Sequence, residues 1–120
     1  MMKKTLVLGA SSNPSRYSNL AMARLKAKGH EVVAIGARDD SAHGITITKE
    51  KMAHDDVDTI TLYLNPQRQK EYYDYILGTR PKRVIFNPGT ENDELVNMLE
   101  NEGIRAQEAC TLVMLGTNQY

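Results

Sequence analysis

The chain has 120 residues, 41% hydrophobic and 25% charged, the mix of a soluble globular domain with a single core. Its 15 basic and 15 acidic residues cancel, which argues against the basic face that a DNA or RNA partner needs. Cys110 is the only cysteine, so an intrachain disulfide is excluded and a reducing cytoplasm is expected.

The opening MMKKTLVLGA sets lysines before an apolar run, as a signal peptide does. The run is too short for one, and GASSNPS reads as a strand-to-loop turn. No stretch approaches the ~18 apolar residues of a membrane span. No repeat, low-complexity tract or linker divides the chain, so residues 1–120 read as one domain.

Thr5 to Ala10 reads as a strand, apolar at its centre as a strand buried on both faces should be. Ser18 to Lys28 follows as a helix with Ala21, Met22 and Leu25 inward and Gly29 at its left-handed cap. EVVAIG, Glu31 to Gly36, is the second strand. Residues 37–57 are weakly patterned; GITIT reads as a short edge strand and KEKMAHDD as a helical turn or loop. Asp58 to Leu64 is a strand. Asn65 then caps a helix with Pro66 in its first turn. Tyr72, Tyr73, Ile76 and Leu77 form its apolar face, and Gly78 ends it. Lys82 to Phe86 is the next strand. Thr90 is read as the cap of a helix from Glu91 to Glu102, with Leu95, Met98 and Leu99 inward and Gly103 closing it. IRAQE is a last short strand, and CTLVMLG packs on the domain or across a dimer.

Strand–helix alternation at this spacing predicts parallel strands joined by right-handed crossovers, an open, doubly wound α/β sheet with helices on both faces. Ligands of such sheets bind at the carboxyl ends of the strands, near the reversal of strand order. That rule selects the loops Ala10 to Tyr17, Gly36 to Asp40, Leu64 to Pro66 and Asn87 to Thr90, with Cys110 at the same end.

The first loop leads into a helix N-terminus, whose free N–H groups and dipole favour an anion such as phosphate. Gly9 permits a turn and a close ligand approach. Ser11, Ser12, Asn13 and Ser18 add small hydrogen-bonding groups, and Arg16 a cation suited to phosphate. The G-x-G-x-x-G fingerprint of NAD sites is missing beyond its first glycine, and Pro14 removes a donor. The second strand ends GAR; an arginine there suits a phosphorylated ribose better than a free diol. Taken alone, NPG reads as a tight turn and Asn65 as a helix cap.

VLGASSNPSRYSN, GHEVVAIG at the second strand, NPG after a later strand and a single Cys near the end together resemble the stand-alone CoA-binding domain family. They also resemble the CoA-binding domain of the succinyl-CoA synthetase alpha subunit and of ADP-forming acyl-CoA synthetases. The resemblance implies a Rossmann-like, mostly parallel sheet that binds CoA or acyl-CoA. Gly9, Ala10, Ser11, Ser12, Asn13, Arg16 and Ser18 match the phosphate-facing loop, and Tyr17, between that loop and the helix, stands where it can line the nucleotide pocket or simply pack. Ala37 and Arg38 match the adenosine end. Leu64, Asn65 and Asn87, Pro88 and Gly89 match the pantetheine track. Two positions depart from the family: AIGAR stands where P-V-N-P is common, and Asn87 where glutamine is common.

The synthetases use further domains for a phosphohistidine and for nucleotide grasp, and these 120 residues hold neither. The expectation is a non-catalytic module that carries, senses or sequesters CoA or serves a protein partner. His30, His43 and His54 share no metal-ligand spacing and read as solvated surface residues. Asp39 and Asp40 are adjacent loop carboxylates that rarely complete an oxygen cage, so no metal is expected. Cys110 reads foremost as a small buried hydrophobe; its placement at the ligand edge raises a second role, a mixed disulfide with the CoA thiol. The rival readings are an NAD(P)-binding protein, with Arg38 on a 2′-phosphate, and an interaction domain that has lost its ligand. A homodimer or other protein partner stays open.

Overall fold

The structure is a computed structural model describing residues 2–120. Seven strands form one sheet in the order β3-β4-β2-β1-β5-β6-β7. They are β1 (Thr5–Ala10), β2 (Val32–Gly36), β3 (Asp40–Ala42), β4 (Ile45–Thr48), β5 (Thr59–Leu62), β6 (Arg83–Phe86) and β7 (Arg105–Glu108). All neighbours pair in parallel except β3, which runs antiparallel to β4. The helices are α1 (Tyr17–Ala27), α2 (Pro66–Gln69), α3 (Tyr73–Thr79), α4 (Asp93–Asn101) and α5 (Thr111–Gly116), with a 3₁₀ turn at Lys70–Tyr72. The expected Rossmann-like α/β sheet is present, and strand order reverses at β1, which lies between β2 and β5.

Alternation along the central strands feeds two cores. Leu6, Leu8, Ile60, Leu62, Val84 and Phe86 point to one face, where Tyr72, Ile76, Leu95 and Leu99 cover them. Val7, Ala34 and Ile47 point to the other, under Met22 and Leu25 of α1 and Leu115 of α5. All four residues of β5 and of β6 are buried, which is why these segments read as unbroken strand signals. The C-terminal apolar run folds onto its own chain: Thr111, Met114 and Leu115 are buried in α5, and only Val113 stays well exposed.

Three local expectations change. GITIT is not the edge strand. His43 and Gly44 both take positive φ (54° and 75°) and close a two-residue hairpin that places β3 outside β4. The helix after Asn65 is broken into α2, the 3₁₀ turn and α3, and it ends past Gly78. Pro81 disfavours helical backbone just before it, so the helix stops there, and Arg80 caps it in the left-handed turn at φ 50°. Asn92, not Thr90, caps α4: its side chain accepts from the Leu95 N–H, while the buried Thr90 Oγ1 donates to the Asn87 carbonyl. Of the two readings of KEKMAHDD, helical turn or loop, the loop is the one found.

The histidines differ too. His43 is exposed and bonds Asn19 Oδ1 through Nε2. His30 and His54 are partly buried rather than solvated. Desolvation lowers the pKa of both, and the charges of Lys3 at His30 and Lys4 at His54 add to it. His30 Nδ1 also accepts the Lys3 N–H at 2.9 Å, a bond that a second ring proton would break. The unfolded chain therefore binds more protons than the folded one below the ordinary value of 6.5. Stability should fall as pH drops from 7.5 to 5.5. A melting temperature that declines over this window in the wild type, and less in the His30→Gln, His54→Gln double variant, is expected. Equal slopes would contradict it.

Candidate functional site

The carboxyl ends of β1, β2 and β5 converge because two glycines let them. Gly9 has φ +96°, and a Cβ there would lie 2.8 Å from the carbonyl carbon and oxygen of Tyr63. A Cβ on Gly36 would lie 2.3 Å from the Ala10 carbonyl oxygen. Gly9 thus serves chain-to-chain approach as well as the turn. An alanine at either position must push backbone apart, and at Gly9 it also adopts a left-handed conformation costing roughly 1–2 kcal/mol.

Above these glycines the four loops enclose an open cleft of about 420 Å³. Of the residues singled out in the sequence, Gly9, Ala10, Ser11, Ser12, Arg16, Tyr17 and Ser18 line it from the first loop and the start of α1. Ala37 and Arg38 line it from beyond β2, Leu64 and Asn65 from beyond β5, and Pro88 and Gly89 from beyond β6. Tyr17 is 75% exposed at the rim, so it is not packing.

Three singled-out residues stand outside the cleft wall. Asn13 shapes the first loop: its Oδ1 accepts from the N–H and Oγ of Ser15 at 3.0 and 2.8 Å. Ser11 Oγ accepts the Asn13 N–H, and Asn19 Nδ2 donates to the Ser11 carbonyl. Asn87 is 2% exposed and fully engaged inside. Its Nδ2 donates to Thr61 Oγ1 (2.7 Å) and the Leu62 carbonyl (2.8 Å), and its Oδ1 accepts the Thr111 N–H (2.9 Å). It braces β5, β6 and α5 rather than facing a ligand. Cys110 is half-buried just before α5 and follows β7, two strands beyond β5.

The cleft also contains Ile47, Tyr63 and Arg68, which lie outside the four selected loops, and Asp40 and Thr90, which end two of those loops but are not among the residues matched to a ligand. Asp40 arrives with the β3–β4 hairpin. Ser12 Oγ donates to its Oδ2 at 2.7 Å and the Ser41 N–H to its Oδ1 at 2.8 Å. These two bonds, the first the larger cause, hold its carboxyl below the usual range. Burial pushes the Tyr63 phenol up to about 12, so it stays neutral. Arg68 stands in the first turn of α2, where Asn65 Oδ1 accepts its N–H at 2.9 Å. Capping at Asn65 with an arginine at the third helical position was the signal that could have found it.

Beneath the cleft, Gln69 is fully buried and joins two of its walls. Its Nε2 donates to the carbonyls of Leu64 and Thr90, both at 2.8 Å, and its Oε1 accepts from Asn92 Nδ2. The electrostatics of the rim are asymmetric. Arg16, Arg38 and Arg68 make no ion pair and no side-chain hydrogen bond among the described residues; the three salt bridges join other residues. The cap position of α1 is Arg16, which offers no side-chain acceptor to the helix, and no acidic residue stands in the first turn. Free N–H groups and guanidiniums together can hold a phosphate.

A family model described as a CoA binding domain matches residues 3–116. The chain belongs to the CoA-binding domain family. No curated protein matches it significantly. Among solved structures, an uncharacterized protein is 50% identical over 100% of this chain and 99% of its own, with a TM-score of 0.97. A conserved hypothetical protein from Pyrococcus furiosus is 27% identical over 93% of this chain and 98% of its own, TM-score 0.82. Prb, the PH1109 protein redesigned for binding, shares the fold at 18% identity and TM-score 0.87, over 98% of this chain and 84% of its own. No helix among the described residues is long and apolar enough to cross a membrane.

The geometry carries two stability predictions. Gly36→Ala should destabilise the chain by about 2 kcal/mol or more, because the group its Cβ would strike at 2.3 Å is the backbone carbonyl of Ala10. Gln69→Leu leaves two buried carbonyls without donors and should cost roughly 2–4 kcal/mol. Urea melts with an unchanged m-value should show both losses. A wild-type midpoint in either variant would refute the corresponding account.

Proposed function

We propose that the cleft binds CoA as a non-catalytic ligand, its phosphates held by the first loop and the arginines. The observation that carries this reading is that three unpaired arginines line one cleft together with the start of α1 in a chain of zero net charge. Family membership supports CoA as the ligand class. On this reading Arg16 and the α1 N-terminus take the diphosphate, and Arg38 takes the 3′-phosphate of the ribose. Tyr17, an exposed ring beside Arg16, offers a face to the base. Leu64, Asn65, Pro88 and Gly89 border the pantetheine arm. Pro14 and the missing glycines of the first loop favour CoA over a dinucleotide.

Thermal shifts with CoA, dephospho-CoA, ADP, NAD and NADP at matched concentrations test it, since a ligand of the folded state raises the melting point by mass action. CoA should give the largest shift. Arg38→Ala should weaken CoA by roughly tenfold, the worth of one charge-assisted hydrogen bond, and leave dephospho-CoA nearly unchanged. Stabilisation by NADP but not CoA would assign a dinucleotide instead. No shift with any of them would leave an interaction domain.

A further inference from the structure

Two donors on the cleft wall are already held by the chain's own carboxylates. Ser12 Oγ donates to Asp40 Oδ2 at 2.7 Å, and the Gly89 N–H donates to Glu91 Oε1 at 2.9 Å. The first contact spans two loops, joining the phosphate-suited loop to the β3–β4 hairpin. Asp40 is the only carboxylate among the cleft-lining described residues, which also include Arg16, Arg38 and Arg68, and the charge of Arg38 reaches it. A hydroxyl donating to a carboxylate makes the same bond it would make to a phosphate oxygen. An arriving phosphate therefore meets a like charge and a donor already in use.

We infer that Asp40 is a built-in competitor for the ligand's phosphate, occupying Ser12 in the free chain and leaving it when the phosphate binds. The inference rests on the CoA reading of the cleft. Three features support displacement over a fixed structural role. Asp40 is exposed, so the carboxylate can move into water without desolvation. Its other oxygen is held only by the adjacent Ser41 N–H, a bond between sequence neighbours that ties the carboxylate to no second segment. Arg38 makes no ion pair with it and stays available to the ligand. Asp40 in this role sets how strongly the cleft discriminates for phosphate-rich ligands, which alone repay the displacement.

Isothermal titration of the wild type and Asp40→Asn with CoA and with pantetheine, the same arm without phosphates, tests the inference. Asparagine keeps the shape and the acceptor for Ser41 but removes the charge. The variant should bind CoA about fivefold more tightly at low salt, a gain that shrinks as salt screens the repulsion. Its pantetheine binding should not change. Equal or weaker CoA binding would overturn the inference and make Asp40 a ligand contact, for instance to a ribose hydroxyl. Equal tightening toward pantetheine would overturn it as well. Failure of both proteins to bind CoA is a different result; it removes the CoA reading and this inference with it. A second readout is independent of affinity. Saturating CoA should raise the Asp40 pKa, followed by carboxyl ¹³C NMR, because the Ser12 bond that lowers it is lost and phosphate comes near. A pKa unchanged at saturation would overturn displacement even if affinities moved.

Discussion

Backbone crowding at the ends of three strands is the constraint on which the site depends. β1 is the switch strand, with β2 on one side and β5 on the other. The pairing with β2 slips between Leu8 and Ala10, where Gly9 turns the chain. Only a residue without Cβ can pass the Tyr63 carbonyl there, and only another can pass Ala10 at the end of β2. These two contacts bring the first loop, the β2 tip and the β5 tip within reach of one ligand. Without them the strands would still pair, but the loops would not share a cleft.

Buried amides then fix the walls. Gln69 ties the loop after β5 to the turn after β6, and Asn87 ties β5 and β6 to the start of α5. Each uses donor and acceptor together, so neither leaves a buried polar group that must seek a ligand. Their placement separates two tasks that a polar residue can perform. Amides below the surface hold shape, and guanidiniums at the rim remain unpaired. This also explains why the turn after β6 presents Pro88 and Gly89 to the cleft while Asn87 turns inward.

Much of this was legible in the sequence, and the exceptions have physical causes. Central strands declared themselves because burial on both faces requires continuous apolar residues, as in LVL and VIF. The hairpin was hidden because Asp40 to Ala42 is exposed or partly so and carries no alternation. Its signal was the His43–Gly44 pair, which looks like loop until both residues are known to take positive φ. Thr90 and Asn92 are both cap-forming types, asparagine the stronger, and Thr90 instead closes the turn onto Asn87. Asn87 itself was assigned to a ligand because residue type shows that an amide will bond, not to what. Its partners lie at Thr61, Leu62 and Thr111, far away in the chain. Arg68 sits in the polar run QRQK, where only the register set by the Asn65 cap points it at the cleft.

Exposed arginines bind weakly one at a time, because water screens each and the long side chain loses freedom on docking. Arg16, Arg38 and Arg68 are all exposed, so no single one can account for specific binding. Their effect depends on a ligand that meets several of them while its anionic groups also reach the N–H groups of α1. In the proposed role, Asp40 sharpens that requirement by opposing any anion that engages only part of the set. On the proposed reading, a lone phosphate would gain one or two screened contacts and lose against the carboxylate. A ligand with phosphates at separated points gains them all and offsets the repulsion once. The chain's zero net charge would serve the same end on that reading: with no general attraction for polyanions, selection would rest on the spacing of charges in the cleft.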